Sequence, residues 1–213
     1  MADAAVIGYI HPGWVRAEFC ASLVSIAMEG KTPLEGILTL ESGPNISTGR
    51  NKLCDRFLRD YQAPWLFMAD TDMVLRGDAV DSLIAAADPV TRPVVGALCY
   101  SLEAGKRAPT MYELTEDGER LAFRRHAAWE AGAVVRVSAT GAAALLIHRD
   151  ALRAVRKHAH DSAAPWFRES AFGAPLALLG EDLTFCLRLG AAGIPVHVAT
   201  GIKAGHMKTT MLI

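Results

Sequence analysis

The chain has 213 residues, 51% of them hydrophobic and 21% charged, with a formal net charge of −1. That is ample apolar material for one packed domain, and the near-zero charge excludes a global field drawing the protein to nucleic acid or membrane. No apolar run approaches the roughly 20 residues that cross a bilayer, and the N-terminus lacks a basic, long apolar leader, so a cytoplasmic protein is expected.

The four cysteines, Cys20, Cys54, Cys99 and Cys186, stand singly in apolar stretches without C-x-x-C spacing. They read as buried free thiols of a reducing compartment, not as a disulfide frame or zinc site.

Taken in order, Ala4 to Ile10 reads as a first strand ending in the turn His11-Pro12-Gly13. Val15, Phe19, Leu23 and Ile26 then recur at helical spacing, with a stop near Gly30. Ile37 to Leu40 is a second strand leading to Glu41-Ser42-Gly43-Pro44, and Asn45 suits the N-cap of the next helix. On that helix Ile46, Leu53 and Phe57 form the inward line, and Arg50 falls on it too. An inward guanidinium wants an anion: either an ion pair with a neighbouring acid such as Asp70, or a phosphate.

Pro64 opens the run Trp65 to Ala69, an unbroken apolar segment that suits a strand buried on both faces. At its carboxyl end stands Asp70-Thr71-Asp72. Carboxylates two residues apart on an extended chain leave from the same side and repel unless a cation lies between them. Mg²⁺ or Mn²⁺ with oxygen ligands is the natural guest, and the carboxyl ends of strands are where open α/β sheets bind ligands. An acidic turn with no ligand is the alternative.

Asp78 is expected to cap a helix with Val80, Leu83, Ile84 and Ala87 inward, and Pro93 to Tyr100 is another apolar strand. The β-α-β-α-β-α-β order predicts a mostly parallel, three-layer α/β sheet. The rhythm then changes. Pro109 to Leu114 and Arg120 to Arg125 flank Thr115 to Glu119, a hairpin with Asp117-Gly118 at its turn. Val134 to Ala139 is a strand, and Gly141 opens the small-residue run Ala142 to Ile147. A helix from about Asp150 turns Leu152 and Val155 inward and Arg153, Arg156, Lys157 and His158 outward, as a solvated face or a groove for a polyanion. From His160 to Pro175 the chain is irregular, and Trp166, Phe167 and Phe172 there suit either a packed cover or a lid. Gly180-Glu181-Asp182 precedes a helix carrying Leu183, Cys186 and Leu187 inward and stopping at Gly193. Acids in a first turn complement the helix dipole, and the same dipole keeps a carboxylate ionised for work as a base. Pro195 to Thr200 is the last strand, followed by His206 and by a Gly-containing tail with Lys203 and Lys208, a frayed end or a flap.

The order of these pieces resembles the GT-A-fold glycosyltransferases, in particular small, stand-alone, family-2-like enzymes such as those of actinobacterial bacteriophages. The resemblance spans nearly the whole chain and rests on the α/β front half, Asp70-Thr71-Asp72, the segment at Gly141, Glu181-Asp182 and the late His206. It implies an α/β, three-layer Rossmann-like GT-A fold with a mixed, mostly parallel central sheet. It also implies a single domain over 1–213, about 1–100 binding the nucleotide sugar and about 101–213 the acceptor. The donor would be a UDP- or GDP-sugar, and the cofactor a divalent metal, Mn²⁺ or Mg²⁺.

By the same resemblance Asp72, Asp70 and His206 would hold the metal, Asp70 lying near the ribose or a metal-bound water. Asp182, with Glu181 beside it, would be the catalytic acid pair, Asp182 taking the acceptor proton if the enzyme inverts and positioning the acceptor if it retains configuration. His11, Pro12, Gly13, Ser42, Gly43, Arg50, Asn51, Asp70 and Thr71 would contact the donor, and Lys208 would join them if the charged tail folds over the diphosphate. The acceptor would be a protein hydroxyl, a hydroxylated DNA base or a small molecule, with no membrane partner. The second strand lacks the family's usual Asp-rich turn, and the absence of a Q-x-x-R-W motif argues against a processive polysaccharide synthase. A metal-dependent nucleotidyltransferase and a non-catalytic nucleotide- or nucleic-acid-binding module are the competing classes.

Overall fold

A computed structural model describes residues 4–117, 120–172 and 177–208. Gly118 and Glu119 of the expected hairpin turn, Pro175, and the tail after Lys208 lie outside the described residues.

The first half alternates strand and helix: β1 (Ala5–His11), α1 (Ala17–Glu29), β2 (Leu34–Glu41), α2 (Ile46–Asp60) and β3 (Trp65–Ala69). Asn45 caps α2 as its sequence position suggests, its side chain accepting from the Thr48 N–H at 2.9 Å. Then come β4 (Met73–Val74), α3 (Ala79–Ala86), β5 (Val94–Leu98), β6 (Tyr100–Glu103), β7 (Lys106–Pro109), β8 (Met111–Asp117) and β9 (Arg120–Arg125). The remainder is β10 (Val134–Val137), β11 (Ala139–Thr140), β12 (Ala144–His148), α4 (Arg149–His158), β13 (Ser170–Phe172), β14 (Ala177–Leu179), α5 (Glu181–Ala191), β15 (Val196–Lys203) and β16 (Gly205–His206).

Seven strands form the central sheet in the order β10-β15-β5-β12-β3-β1-β2. The pairs β1/β2, β1/β3 and β15/β5 are parallel, whereas β10 and β12 run against their neighbours, so five of the seven strands share a direction. The sheet is mixed and mostly parallel. β3 lies between β12 and β1 and is buried along its whole length.

Alternation along β3 sends Leu66 and Met68 to one face and Trp65, Phe67 and Ala69 to the other. The first face packs on Leu53 and Phe57 of α2, Leu152 of α4 and Phe185 of α5. The second packs on Phe19 and Ile26 of α1 and on Leu83 of α3. Helices therefore cover both faces of the sheet, giving three layers around one buried plane.

The small-residue run supplies most of β12, the antiparallel strand between β3 and β5 that makes the sheet mixed. Several expectations are corrected. The segment Pro93 to Tyr100 ends its sheet pairing at Leu98, because Tyr100 starts β6, which folds back on β7. Ile46, the first residue of α2, is exposed, and so is Cys20 of α1. Asp78 stands at the N-cap position of α3, but its carboxylate pairs with Arg76 at 2.9 Å and makes no capping bond. The helix expected from about Asp150 begins at Arg149, with His148 Nδ1 accepting from the Asp150 N–H at 3.3 Å. On α5 the fully buried residues are Thr184, Phe185, Cys186 and Leu189, while Leu183 is half-buried.

Candidate active site

The carboxyl ends of β1, β2 and β3 converge, and the site begins there. His11 and Glu41 are opposite one another in the β1/β2 register, and the Ser42 N–H donates to the His11 carbonyl at 2.9 Å. The His11 ring turns back on its own loop, Nδ1 accepting from the Gly13 N–H at 3.0 Å. Gly13 has φ +103°, a conformation that a side chain would strain. Pro12, Gly13 and Gly43 are exposed and Ser42 is half-buried, so both turns present backbone to solvent beside the end of β3. A side chain at Gly49 would press on Ser42, its Cβ falling 2.8 Å from the Ser42 Cβ, so α2 starts hard against the second turn.

Asp70 follows β3 directly, its N–H donating to Ala143 O at 3.0 Å, and the Met73 N–H closes a turn on Asp70 O at 3.1 Å. That turn holds Thr71 and Asp72 half-buried. β16 pairs with β4, setting His206 opposite Met73, and the Met207 N–H donates to Asp72 O at 2.9 Å. A residue 134 positions away is thus placed beside the Asp pair: His206 Nε2 lies 3.0 Å from Asp72 Oδ2. Lys208 Nζ lies 3.4 Å from the same oxygen.

The imidazole orientation is informative. His206 Nδ1 is 2.9 Å from the Tyr100 carbonyl, which can only accept, so Nδ1 carries the proton. In the neutral ring Nε2 then points a lone pair at a carboxylate oxygen, an arrangement satisfied by an imidazolium or by a cation held between the two atoms. Adjacent ligands of an octahedral hard cation with bonds of about 2.1 Å lie about 3 Å apart, which the pair matches. A backbone carbonyl fixing the far nitrogen is also the usual support of a metal-binding histidine. No group of three His, Cys, Asp or Glu side chains stands together as a finished cage among the described residues. The donor set of Asp72 and His206 nonetheless suits Mn²⁺ or Mg²⁺ completed by ligand and water oxygens.

Asp70 faces the other way. Arg50, 3% exposed, sends Nη2 to Asp70 Oδ1 at 2.7 Å and Nη1 to Glu181 Oε1 at 2.8 Å, and Nη1 also donates to Asp182 Oδ1. Its guanidinium lies over the Phe167 ring, 5.6 Å from the centroid. Of the two anions weighed for Arg50, protein carboxylates occupy it. One guanidinium serves three carboxylates, which leaves an excess of two negative charges in the cluster. Burial opposes the charge on Arg50, but Asp182, Asp70 and Glu181 outweigh it and hold the guanidinium above its ordinary pKa. Burial pushes the Asp182 carboxyl up to about 6; Arg50 pulls it down, Glu181 and Asp70 push it further up, and the Ala142 N–H stabilises its anion.

Asn51, expected on the donor, is instead committed to the protein. Its amide donates to Ser47 O at 2.7 Å and Phe167 O at 2.6 Å, and its oxygen accepts from the Trp166 and Phe167 N–H groups at 3.0 and 3.3 Å. With both amide hydrogens and the oxygen engaged, it has no capacity left for a ligand. Trp166 and Phe167 are buried, so the segment around them is a packed cover, while the side chain of Phe172 lies outside the described residues. The sequence reading missed the Tyr100 carbonyl, because a backbone group carries no residue-type signal.

No family model and no curated protein matches the sequence. Solved structures do. The chain is similar to A197 from STIV, at 17% identity and TM-score 0.60, over 96% of this chain and 86% of that one. It is similar to GalNAc-T7, solved with UDP, GalNAc and Mn²⁺, at 9% identity and TM-score 0.63 over 95% of this chain; it spans 43% of that protein. A mutant of Drosophila β-1,4-galactosyltransferase 7, solved with manganese, UDP-Gal and xylobiose, aligns at 14% identity and TM-score 0.51, over 96% and 71% of the two chains. The fold is the GT-A fold of glycosyltransferases. No helix among the described residues is long and apolar enough to cross a membrane.

Proposed function

We propose that the protein is a metal-dependent glycosyltransferase of the small family-2-like type, moving a sugar from a UDP- or GDP-sugar to a hydroxyl acceptor. The observation that carries this reading is the Asp72–His206 pair at the end of β3, with His206 Nε2 3.0 Å from a carboxylate oxygen and Nδ1 held by the Tyr100 carbonyl. A bound divalent cation would neutralise charge building on the leaving diphosphate.

In this reading Asp72 and His206 would hold the cation, while Asp70 stays paired with Arg50, and Lys208, beside Asp72, would face the diphosphate. The turns at His11, Pro12 and Gly13 and at Ser42 and Gly43, with Thr71, contact the nucleoside. Arg50 aligns the acidic side chains and does not itself touch phosphate. Asp182 takes the acceptor proton as the acceptor oxygen bonds to the sugar C1 and the C1–O bond to the diphosphate breaks, its electrons leaving with the phosphate oxygen. A carboxyl raised towards neutrality by burial is well matched to receive a proton near pH 7. Glu181 shares Arg50 and keeps Asp182 oriented.

The test is slow donor hydrolysis without acceptor. A panel of UDP- and GDP-sugars with Mn²⁺ should yield nucleoside diphosphate from one donor and none with chelator. Pyrophosphate as the product would make the protein a nucleotidyltransferase, and binding without turnover would make it a nucleotide-binding module.

A further inference from the structure

A cleft of about 890 Å³ opens beside the carboxylate cluster, between the first turns of α2, the end of α4 and the segment 161–169. That is the size of a small-molecule site, typically about 300–1,000 Å³. Glu181 lines it, whereas none of His11, Ser42, Asp70, Asp72 or His206 does. The cleft therefore reaches Glu181, which shares Arg50 Nη1 with the proposed base Asp182, and it does not touch the metal pair. We propose that it is the acceptor site and that the acceptor is a neutral, polyhydroxylated saccharide; this rests on the glycosyltransferase reading above.

The cleft is preformed. Asn51 ties the Trp166–Phe167 backbone to α2 from both its donor and acceptor atoms. The Trp166 indole N–H donates to Leu152 O at 2.8 Å, and Arg188 Nη1 holds Ala164 O at 2.5 Å. An ordering of 161–168 on binding is thus unnecessary, which lowers the entropic cost of seating a ligand.

The walls define the ligand class. Arg156 pairs with Asp55 at 3.6 Å and Arg168 with Asp161 at 3.3 Å, so the arginines stand matched against carboxylates. Such a lining offers no net positive field to a nucleic acid or another polyanion. Ser47, Thr48 and these charged pairs interrupt the apolar surface of Pro44 and Ile46, which leaves no continuous trough for a lipid tail. What matched Arg–Asp pairs do suit is a vicinal diol, each hydroxyl donating to the carboxylate and accepting from the guanidinium. A sugar ring brings several such diols, together with apolar C–H faces for Pro44 and Ile46.

The test uses the intact chain, without donor or metal, and reads amide shifts by ¹H–¹⁵N NMR. Methyl glycosides of glucose, galactose, mannose and xylose are titrated to roughly 10–50 mM, the range of weak single-sugar binding. At least one should shift residues 44–52 and 161–169 saturably. Thr48→Trp, an exposed substitution that fills the cleft, should weaken that binding roughly tenfold or more, and Asp55→Ala should weaken it too while the melting temperature holds. Shifts that fall elsewhere, no shift with any sugar, or a serine peptide or DNA duplex perturbing the cleft in their place would overturn the proposal. A parallel titration with UDP and diamagnetic Mg²⁺ reports on residues 70–74 and 203–208, so failure of the donor reading is seen separately. UDP shifts centred on the cleft would also overturn the acceptor assignment.

Discussion

His206 and Asp72 meet across 134 residues of chain because β16 pairs with β4, leaving Nε2 3.0 Å from Oδ2 while Nδ1 is fixed on Tyr100 O. If a divalent cation belongs between them, His206→Ala removes a ligand without disturbing the core, as the ring is part-exposed. Mn²⁺ affinity in the presence of UDP, measured by calorimetry, should fall by about 10- to 100-fold, comparable to losses seen at supported metal sites. Unchanged affinity would leave the pair as an ordinary hydrogen bond.

Arg50 is the structural centre of the acidic cluster. Arg50→Ala would leave Asp70, Glu181 and Asp182 facing one another with no counter-charge. Removing one partner of a buried pair costs about 3–5 kcal/mol, and the partial exposure of the three carboxylates favours the lower end. Urea denaturation should show the loss. Arg50→Lys should recover only part of it, because a single ammonium lacks the two-armed fork that spans both sides of the cluster.

Asp182→Asn preserves shape and cannot take a proton. Its kcat should fall by roughly 10²–10⁴, with donor affinity nearly unchanged. A normal kcat would remove Asp182 from the chemistry. Because its folded pKa is raised to about 6, Asp182 binds its proton more tightly folded than unfolded. Its contribution to stability therefore grows as pH falls from about 6 towards 4, and the Asn variant should lack that gain in apo pH-dependent melting.

His148 gives the opposite slope. Burial lowers its pKa, and Nδ1 accepts from the Asp150 N–H at the start of α4 while the ring stands edge-on to Trp65. Below about pH 6.5 the unfolded chain takes up a proton that the folded ring resists, so stability is lost as pH falls from there to the folded pKa. The difference in melting temperature between the parent and His148→Asn, which keeps a capping acceptor, should change across that window. A constant difference would mean that the imidazole titrates alike in both states.

The sequence alone determined the local pieces: a strand from Trp65 to Ala69, an Asn45-capped helix, and carboxylates delivered at a strand end and a helix start. Each follows from short-range physics, in apolar runs, capping chemistry and the two-residue repeat of an extended chain. Tertiary structure decided how they combine. A strand buried on both faces is equally apolar in either direction, so nothing in Ala144 to His148 announced that β12 runs antiparallel between β3 and β5. Arg50 could be placed on an inward helix face, but the choice between carboxylate and phosphate depended on α5 bringing Glu181 and Asp182 to the same nitrogen. Asn51, adjacent in sequence and equally polar, faced a different neighbour, and its hydrogen bonds went to the backbone at 166–167. Side-chain chemistry states what a residue can bind, and the packing of distant segments decides what it meets.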